Sequence, residues 1–193
     1  MKKPILLIFL ILILSSPLQS ASIIYQDGVS PTTGYTGTID ACMVKSSPSY
    51  TQYNDDAIMS VRSSALYERR VSIRWNLLDS IPATATVDTA YIEIRAEPDH
   101  SDTIRVYGLK NSRAFSEGIT DAYDHCWNNY ANNEFWTLAG CADTTNDRDG
   151  TQQAQKTVSS AAPSVHRYYI TALVQKWVNN SREENGVIFK ADM

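Results

Sequence analysis

The residues best equipped for chemistry are gathered in one stretch, His125 to Cys141, HCWNNYANNEFWTLAGC. A histidine beside a cysteine raises thiol catalysis. His125, Cys126 and Cys141 together raise a metal site. Two tryptophans, a tyrosine and a run of asparagines raise a platform for a ligand. A cysteine nucleophile needs a base within hydrogen-bond reach, usually oriented by a third group. Adjacent residues on an extended chain point to opposite sides, which separates His125 from Cys126. Structural zinc wants four ligands at tight spacing, and the chain has no C-x-x-C.

The other polar clusters give no catalytic set. Glycoside hydrolysis needs two carboxylates across a cleft, and the acidic residues sit mostly in turns with no pair singled out. DHSD, Asp99 to Asp102, lies between strands and is not a nucleophile elbow. No phosphate-cradling glycine loop is present. No enzymatic activity is therefore expected. Asp143, Asp147 and Asp149 in ADTTNDRDG are the candidates for a structural Ca²⁺. They lack the glycine and further carboxylates of a known Ca²⁺ loop, and a solvated acidic turn competes with that reading. No other cofactor is expected.

The N-terminus sets the expected compartment. Lys2 and Lys3 precede the apolar run Ile5 to Leu14, and small residues follow near Ser20 to Ser22. That is the layout of a secretory signal peptide, assigned to residues 1–22. The apolar run is about half the roughly 20 residues of a membrane-spanning helix, so no stable membrane span is expected and the chain reads as secreted. Export permits oxidation. Three cysteines, Cys42, Cys126 and Cys141, make one pair and one leftover thiol. A clip between the sequence neighbours Cys126 and Cys141 would contribute about 3 kcal/mol in the chain-entropy model.

Losing Lys2 and Lys3 takes the formal charge from −4 to −6. An acidic surface argues against nucleic acid, whose binding rests on phosphate neutralisation. The remaining chain, residues 23–193, suits a single domain of about 170 residues.

The elements that must position these residues are mostly strands. RRVSIRW, AYIEIRA and TIRVYGL alternate apolar and polar residues, which means one face buried and one wet. Turn chemistry around Pro82, Pro98 and before Gly186 separates them. Arg167 to Ile170 is strand-like, and TALVQKW then breaks the pattern. Thr171 is the expected N-cap, with Leu173, Val174 and Trp177 on one helical face and Trp177 in the core. GVIFK reads as a buried strand. The pattern is all-β, an antiparallel sandwich or barrel with one short helix near the C-terminus. From about Phe115 to Val165 the alternation fades, and a loop of that length is usually functional or disordered.

The ordered set of segments resembles the DNRLRE-type domain, also classed as family 96 carbohydrate-binding modules. QDGVSPTTGYTGTIDA, Gln26 to Ala41, is similar to its opening. RRVSIRWNLLDSIPATATVDTAYIEIR is similar to its central signature, and YYITALVQKWVNN with NGVIFK to its close. WNN and WTLAG resemble its loop elements. The resemblance covers most of residues 23–193 in order and implies a jelly-roll-type β-sandwich outside the cell. Members are usually non-catalytic modules of secreted polysaccharide-active or surface proteins, some linked to acidic polysaccharides such as alginate. Three departures stand out. The family's N-Y-G element appears only as QYN, Gln52 to Asn54. Cys126 and Cys141 replace glycine or small residues, which supports the clip. The chain stops just after GVIFK, where members continue, so the last strands are expected to be missing.

Polysaccharide is the partner this reading implies. Sugar rings offer C–H faces and hydroxyl rims, which suit aromatic platforms beside amides and carboxylates. Tyr123, Trp127, Tyr130 and Trp136 are the contact candidates, interleaved with Asn128, Asn129, Asn132 and Asn133. For Trp127 and Trp136 the structural alternative, pinning the loop to the sandwich, is the stronger. The alternative function is a surface-filament or matrix subunit that receives a strand from a protein partner.

Overall fold

A computed structural model describes residues 21–45, 52–53, 59–64, 67–76, 81–97, 101–110, 125–131, 134–159 and 163–192. The signal segment lies almost wholly outside them. No helix among the described residues is long and apolar enough to cross a membrane.

The fold is all-β with antiparallel pairing and one short helix. The main sheet has six strands in the order β2-β1-β3-β10-β5-β8. These are β1 (Thr38–Val44), β2 (Gln52–Tyr53), β3 (Arg69–Trp75), β5 (Asp102–Gly108), β8 (Ala154–Val158) and β10 (Val187–Ala191). Facing it is a two-stranded layer, β4 (Tyr91–Ala96) and β9 (Ser164–Tyr169), with the helix α1 (Thr171–Val178). A small hairpin joins β6 (Asn129–Ala131) to β7 (Glu134–Phe135).

The alternating segments become strands with the expected inner face. Cys42 and Val44 of β1, Val71 and Ile73 of β3, Ile104 and Val106 of β5 and Val187 and Phe189 of β10 enter one core cluster. Ile92 of β4, Tyr168 of β9 and Leu173, Val174, Trp177 and Val178 of α1 close it. Trp177 is among the largest fully buried side chains.

The opposite face of the main sheet is not wet. Ala41 and Met43 of β1, Tyr107 of β5 and Ile188 of β10 form a second cluster with Leu109, Trp127, Trp136 and Cys141. Ser72 and Arg70 of β3 are buried on that side too. The cause is the stretch 125–141, which packs over the sheet as a second cover. The central strands β1, β3, β5 and β10 thus lie between two apolar layers, so alternation does not mark a solvent face there.

One further position differs from expectation. Thr171 is the first helical residue, and Ile170 holds the N-cap without a side-chain bond. The Thr171 hydroxyl accepts from Ala90 N at 3.0 Å and donates to Ala90 O at 3.3 Å, tying α1 to the approach to β4. Gln175 adds bonds to Val87 N and Ala85 O. β10 is paired with β3 on one side and β5 on the other, so it lies inside the main sheet. Unpaired edges among the described strands belong to β2, β8, the two-stranded layer and the β6–β7 hairpin.

Candidate functional site

The cover loop is built from its two tryptophans. Trp136 Nε1 donates to Cys126 O at 3.1 Å, Trp136 N to Asn128 O at 2.9 Å and Cys126 N to Asn129 O at 2.9 Å. Gly140 N donates to Trp127 O. Gly140 has φ +74°, and a Cβ there would stand 2.6 Å from the Trp127 ring. Only glycine fits that contact. Arg70 reaches up from β3. It bonds Glu68 at 2.6 and 2.9 Å, donates to Gly140 O, and places its guanidinium carbon 4.9 Å from the Trp127 ring centre.

These contacts decide where the sequence candidates stand. Trp127 and Trp136 are 6% and 4% exposed, with their ring faces inside the second cluster. Tyr130 is half-buried, 5.4 Å from Trp136. Tyr123, Asn132 and Asn133 lie outside the described residues. The large exposed apolar side chains among the described residues of this loop are Phe135 and Leu138.

The expected disulfide is a correction. Cys126 and Cys141 are buried thiols not joined to each other. Cys126 Sγ turns to Asn129 Oδ1 at 3.8 Å, within its own turn. Cys141, at φ +59°, packs with the tryptophan cluster. Backbone bonds and the Trp136 indole close the loop in place of a covalent clip. Cys42 is a buried thiol of β1, donating to Ser60 O at 3.4 Å.

His125 is fully buried, edge-on to Trp136 at 5.5 Å, with Nδ1 3.2 Å from Tyr130 O. Burial pushes its pKa down to about 4, so the ring is neutral at physiological pH.

The three aspartates are not gathered around a common point. Asp147 is buried and its carboxylate accepts from Thr137 N, Leu138 N and Asp143 N at 2.9, 3.0 and 3.3 Å. It anchors the end of the cover loop. Asp143 accepts from Thr145 N and Asn146 Nδ2 in its own turn. Asp149 pairs with Arg182 at 2.7 Å and with Lys110 at 3.4 Å. Among the described residues no group of three or more His, Cys, Asp and Glu is placed to hold a metal ion.

Two open clefts lie at the other end of the main sheet, on either side of the last residues of β3. Strand alternation separates them: Ile73 and Trp75 face inward and Arg74 faces outward. The outer cleft, about 560 Å³, is lined by Thr36, Ile39, Arg74, Asn76, Asn180 and Glu184 with their neighbours. Trp75 lines it as well, its N–H pointing at Glu184 Oε1 at 3.4 Å. Burial pushes the Glu184 pKa up to about 7, opposed by the Trp75 and Gly186 amides and by Arg74. Arg182 on the rim is committed to Asp149 and to Leu109 O.

The inner cleft, about 290 Å³, opens between the main sheet and β4. Ile73, Ile92 and Ile94 line it together with the half-buried Tyr25 and Trp75. Gln26, Asp27, Thr38 and Asp40 line the rest, with Glu93 from β4. A bridge from Gln26 to Ser30 and the bond from Thr38 N to Asp27 Oδ1 at 2.9 Å hold the first segment in place. Isoleucines, two aromatic residues and a few amide, hydroxyl and carboxylate groups are the residue types found in small-ligand sites. The outer cleft is lined by Trp75 too, but carries both charge signs, with Arg74 and Arg182 beside Glu183 and Glu184.

No family model matches the chain, and no curated protein matches it.

The sequence did not point to this inner cleft. Trp75 read as the last core position of an alternating strand, and its partners are brought in from three distant segments. The available signals were a tryptophan at a strand end and Tyr25 before QDG.

Proposed function

We propose that the chain is an exported, non-catalytic carbohydrate-binding module whose ligand lies in the inner cleft. The observation that carries this reading is the pairing of the Tyr25 and Trp75 rings with Gln26, Asp27 and Asp40 in one open cleft. Sugar C–H faces stack on the rings and hydroxyls bond the polar groups. The resemblance of the ordered segments to DNRLRE-type modules supports the same reading, as does the secretory layout of the first residues. The jelly-roll connectivity belongs to this proposal. Tyr123 and Tyr130 remain secondary contact candidates. A structural Ca²⁺ is no part of it, since Asp143, Asp147 and Asp149 are engaged elsewhere.

The test is a glycan array probed with residues 23–193, alongside the Tyr25→Ala and Asp40→Asn variants. The reading expects selective binding by the parent chain and loss in both variants. Binding to no glycan, or release of reducing ends from a bound polymer, sinks it.

A second reading has its own support. Among the described residues the layer facing the six-stranded sheet has only two strands, leaving the outer edges of β4 and β9 without a strand partner. Such edges accept an added strand. Filaments under the electron microscope would favour this reading, and a monodisperse, thermostable monomer would end it.

A further inference from the structure

The outer face of the β4–β9 layer carries two exposed tyrosines side by side. Strand alternation turns Ile92 and Tyr168 inward. It leaves Tyr91, Glu93 and Arg95 of β4 opposite Tyr169, Arg167 and Val165 of β9 on the outer side. Tyr91 and Tyr169 are 44% and 55% exposed, and neither belongs to a core cluster. Their ring centres stand 5.7 Å apart, inclined at 61°. Arg167 donates to Glu93 at 2.7 Å and stacks 4.6 Å from the Tyr91 ring centre. Arg95 pairs with Glu97 at 3.3 Å. Contacts to Arg167 and Tyr169 thus hold the Tyr91 ring in place, and such ordering lowers the entropy cost of binding.

We propose that this face is a second, shallow binding surface for an uncharged glycan chain. Sugar C–H faces meet the Tyr169 and Tyr91 rings. Arg95 and Arg167 donate to hydroxyls and Glu93 accepts from them, in charge-assisted bonds. Size and charge favour this occupant. Six residues along two strands cover about 20 Å by about 10 Å. A stable protein interface takes about 800 Å² on each partner, several times more. The charges described on this face pair off as Arg95 with Glu97 and Arg167 with Glu93, which leaves no net charge to draw an ionic partner. The inference rests on the carbohydrate-binding reading for its ligand class, but not on the inner cleft. β4 separates the two surfaces: Ile92 and Ile94 line the cleft, and Tyr91 faces away from it. Two stretches of one polymer, or two neighbouring chains, can be held at once, and the second contact then acts at high effective concentration.

The experiment measures retardation of residues 23–193 in native gels cast with a soluble β-glucan, a galactomannan or an arabinoxylan. Calorimetry with hexasaccharides of glucose, mannose and xylose runs beside it. The double variant Tyr91→Ala, Tyr169→Ala is expected to lose about tenfold in affinity for the polymer that retards the parent most. Its affinity for the best hexasaccharide should stay within about twofold, because the inner cleft is untouched. The double variant Tyr91→Phe, Tyr169→Phe keeps both rings and should keep most of the polymer affinity. Tyr169→Ser alone leaves Tyr91 with its arginine and serves if the double alanine variant does not fold; it should lose roughly threefold. Unchanged polymer affinity in the folded alanine or serine variants would overturn the second surface and leave the inner cleft standing. The tyrosines would then be a cross-strand pair that only stabilises the layer. Parallel loss of polymer and hexasaccharide binding in the folded double alanine variant would overturn the separation into two surfaces. A parent chain that binds neither polymer nor hexasaccharide sinks the carbohydrate reading and this inference with it.

Discussion

The guanidinium carbon of Arg70 lies 4.9 Å from the centre of the Trp127 ring. This contact joins a main-sheet strand to the cover loop through a buried ion pair, with Glu68 at 2.6 Å and Gly140 O as the other partners. Removing one member of such a pair leaves the other charge buried and alone. Arg70→Ala should therefore destabilise the fold by about 3–5 kcal/mol in urea unfolding. Arg95→Ala, at the exposed pair with Glu97, should change stability by no more than about 0.5 kcal/mol. Similar losses in the two variants would mean that the cover loop is not seated as described.

His125 sets an acid limit. Its folded pKa of about 4 lies below the ordinary 6.5 because burial disfavours the cation. Above pH 6.5 both folded and unfolded chains carry a neutral ring, and the stability is fully present. As the pH falls from 6.5 toward 4, the unfolded chain takes up a proton that the folded one refuses. The loss approaches about 3 kcal/mol at pH 4. Subtracting the unfolding profile of His125→Asn from that of the parent should isolate this slope. A flat difference would show the ring to be solvated.

Glu184 acts in the opposite direction. Its folded pKa, pushed up to about 7, exceeds the ordinary 4.5. Below pH 4.5 both states are protonated, and the stability this carboxyl contributes is complete. It declines as the pH rises from 4.5 through 7, where the unfolded chain releases its proton first. Glu184→Gln should gain stability on the parent between pH 5 and 8. A difference that does not change across that interval would contradict the burial of this carboxyl.

The cysteines give a direct chemical check. All three are buried thiols. A thiol reagent should label none in the native protein and all three in guanidinium. The intact mass without reductant should equal the mass with it. A species lighter by two hydrogens, with a peptide linking Cys126 to Cys141, would restore the clip.

Local pattern carried much of the fold. Val71 and Ile73, Ile92, and Ile104 and Val106 mark their strands by alternation, and Leu173, Val174 and Trp177 mark one helical face. Thr171 misled because its hydroxyl has a better partner 81 positions away, at Ala90. Arg70 and Ser72 were not legible as buried, since their cover comes from a loop that shares no period with the sheet. Trp127 and Trp136 were legible as aromatic anchors, but nothing local shows which face of the sheet they meet. The inner cleft was hidden for the same reason. Tyr25, Asp40, Trp75 and Ile92 belong to different segments, and only the register of β1 on β3 and the placement of β4 bring them together.

The most direct measurement is tryptophan fluorescence of residues 23–193 titrated with neutral hexasaccharides, in the parent and in Tyr25→Ala. Trp127, Trp136 and Trp177 are buried, so a ligand in the inner cleft should perturb Trp75. At least one hexamer should give a saturable change, abolished in Tyr25→Ala without loss of fold. An unchanged spectrum with every hexamer, or an equal response in the variant, would contradict it.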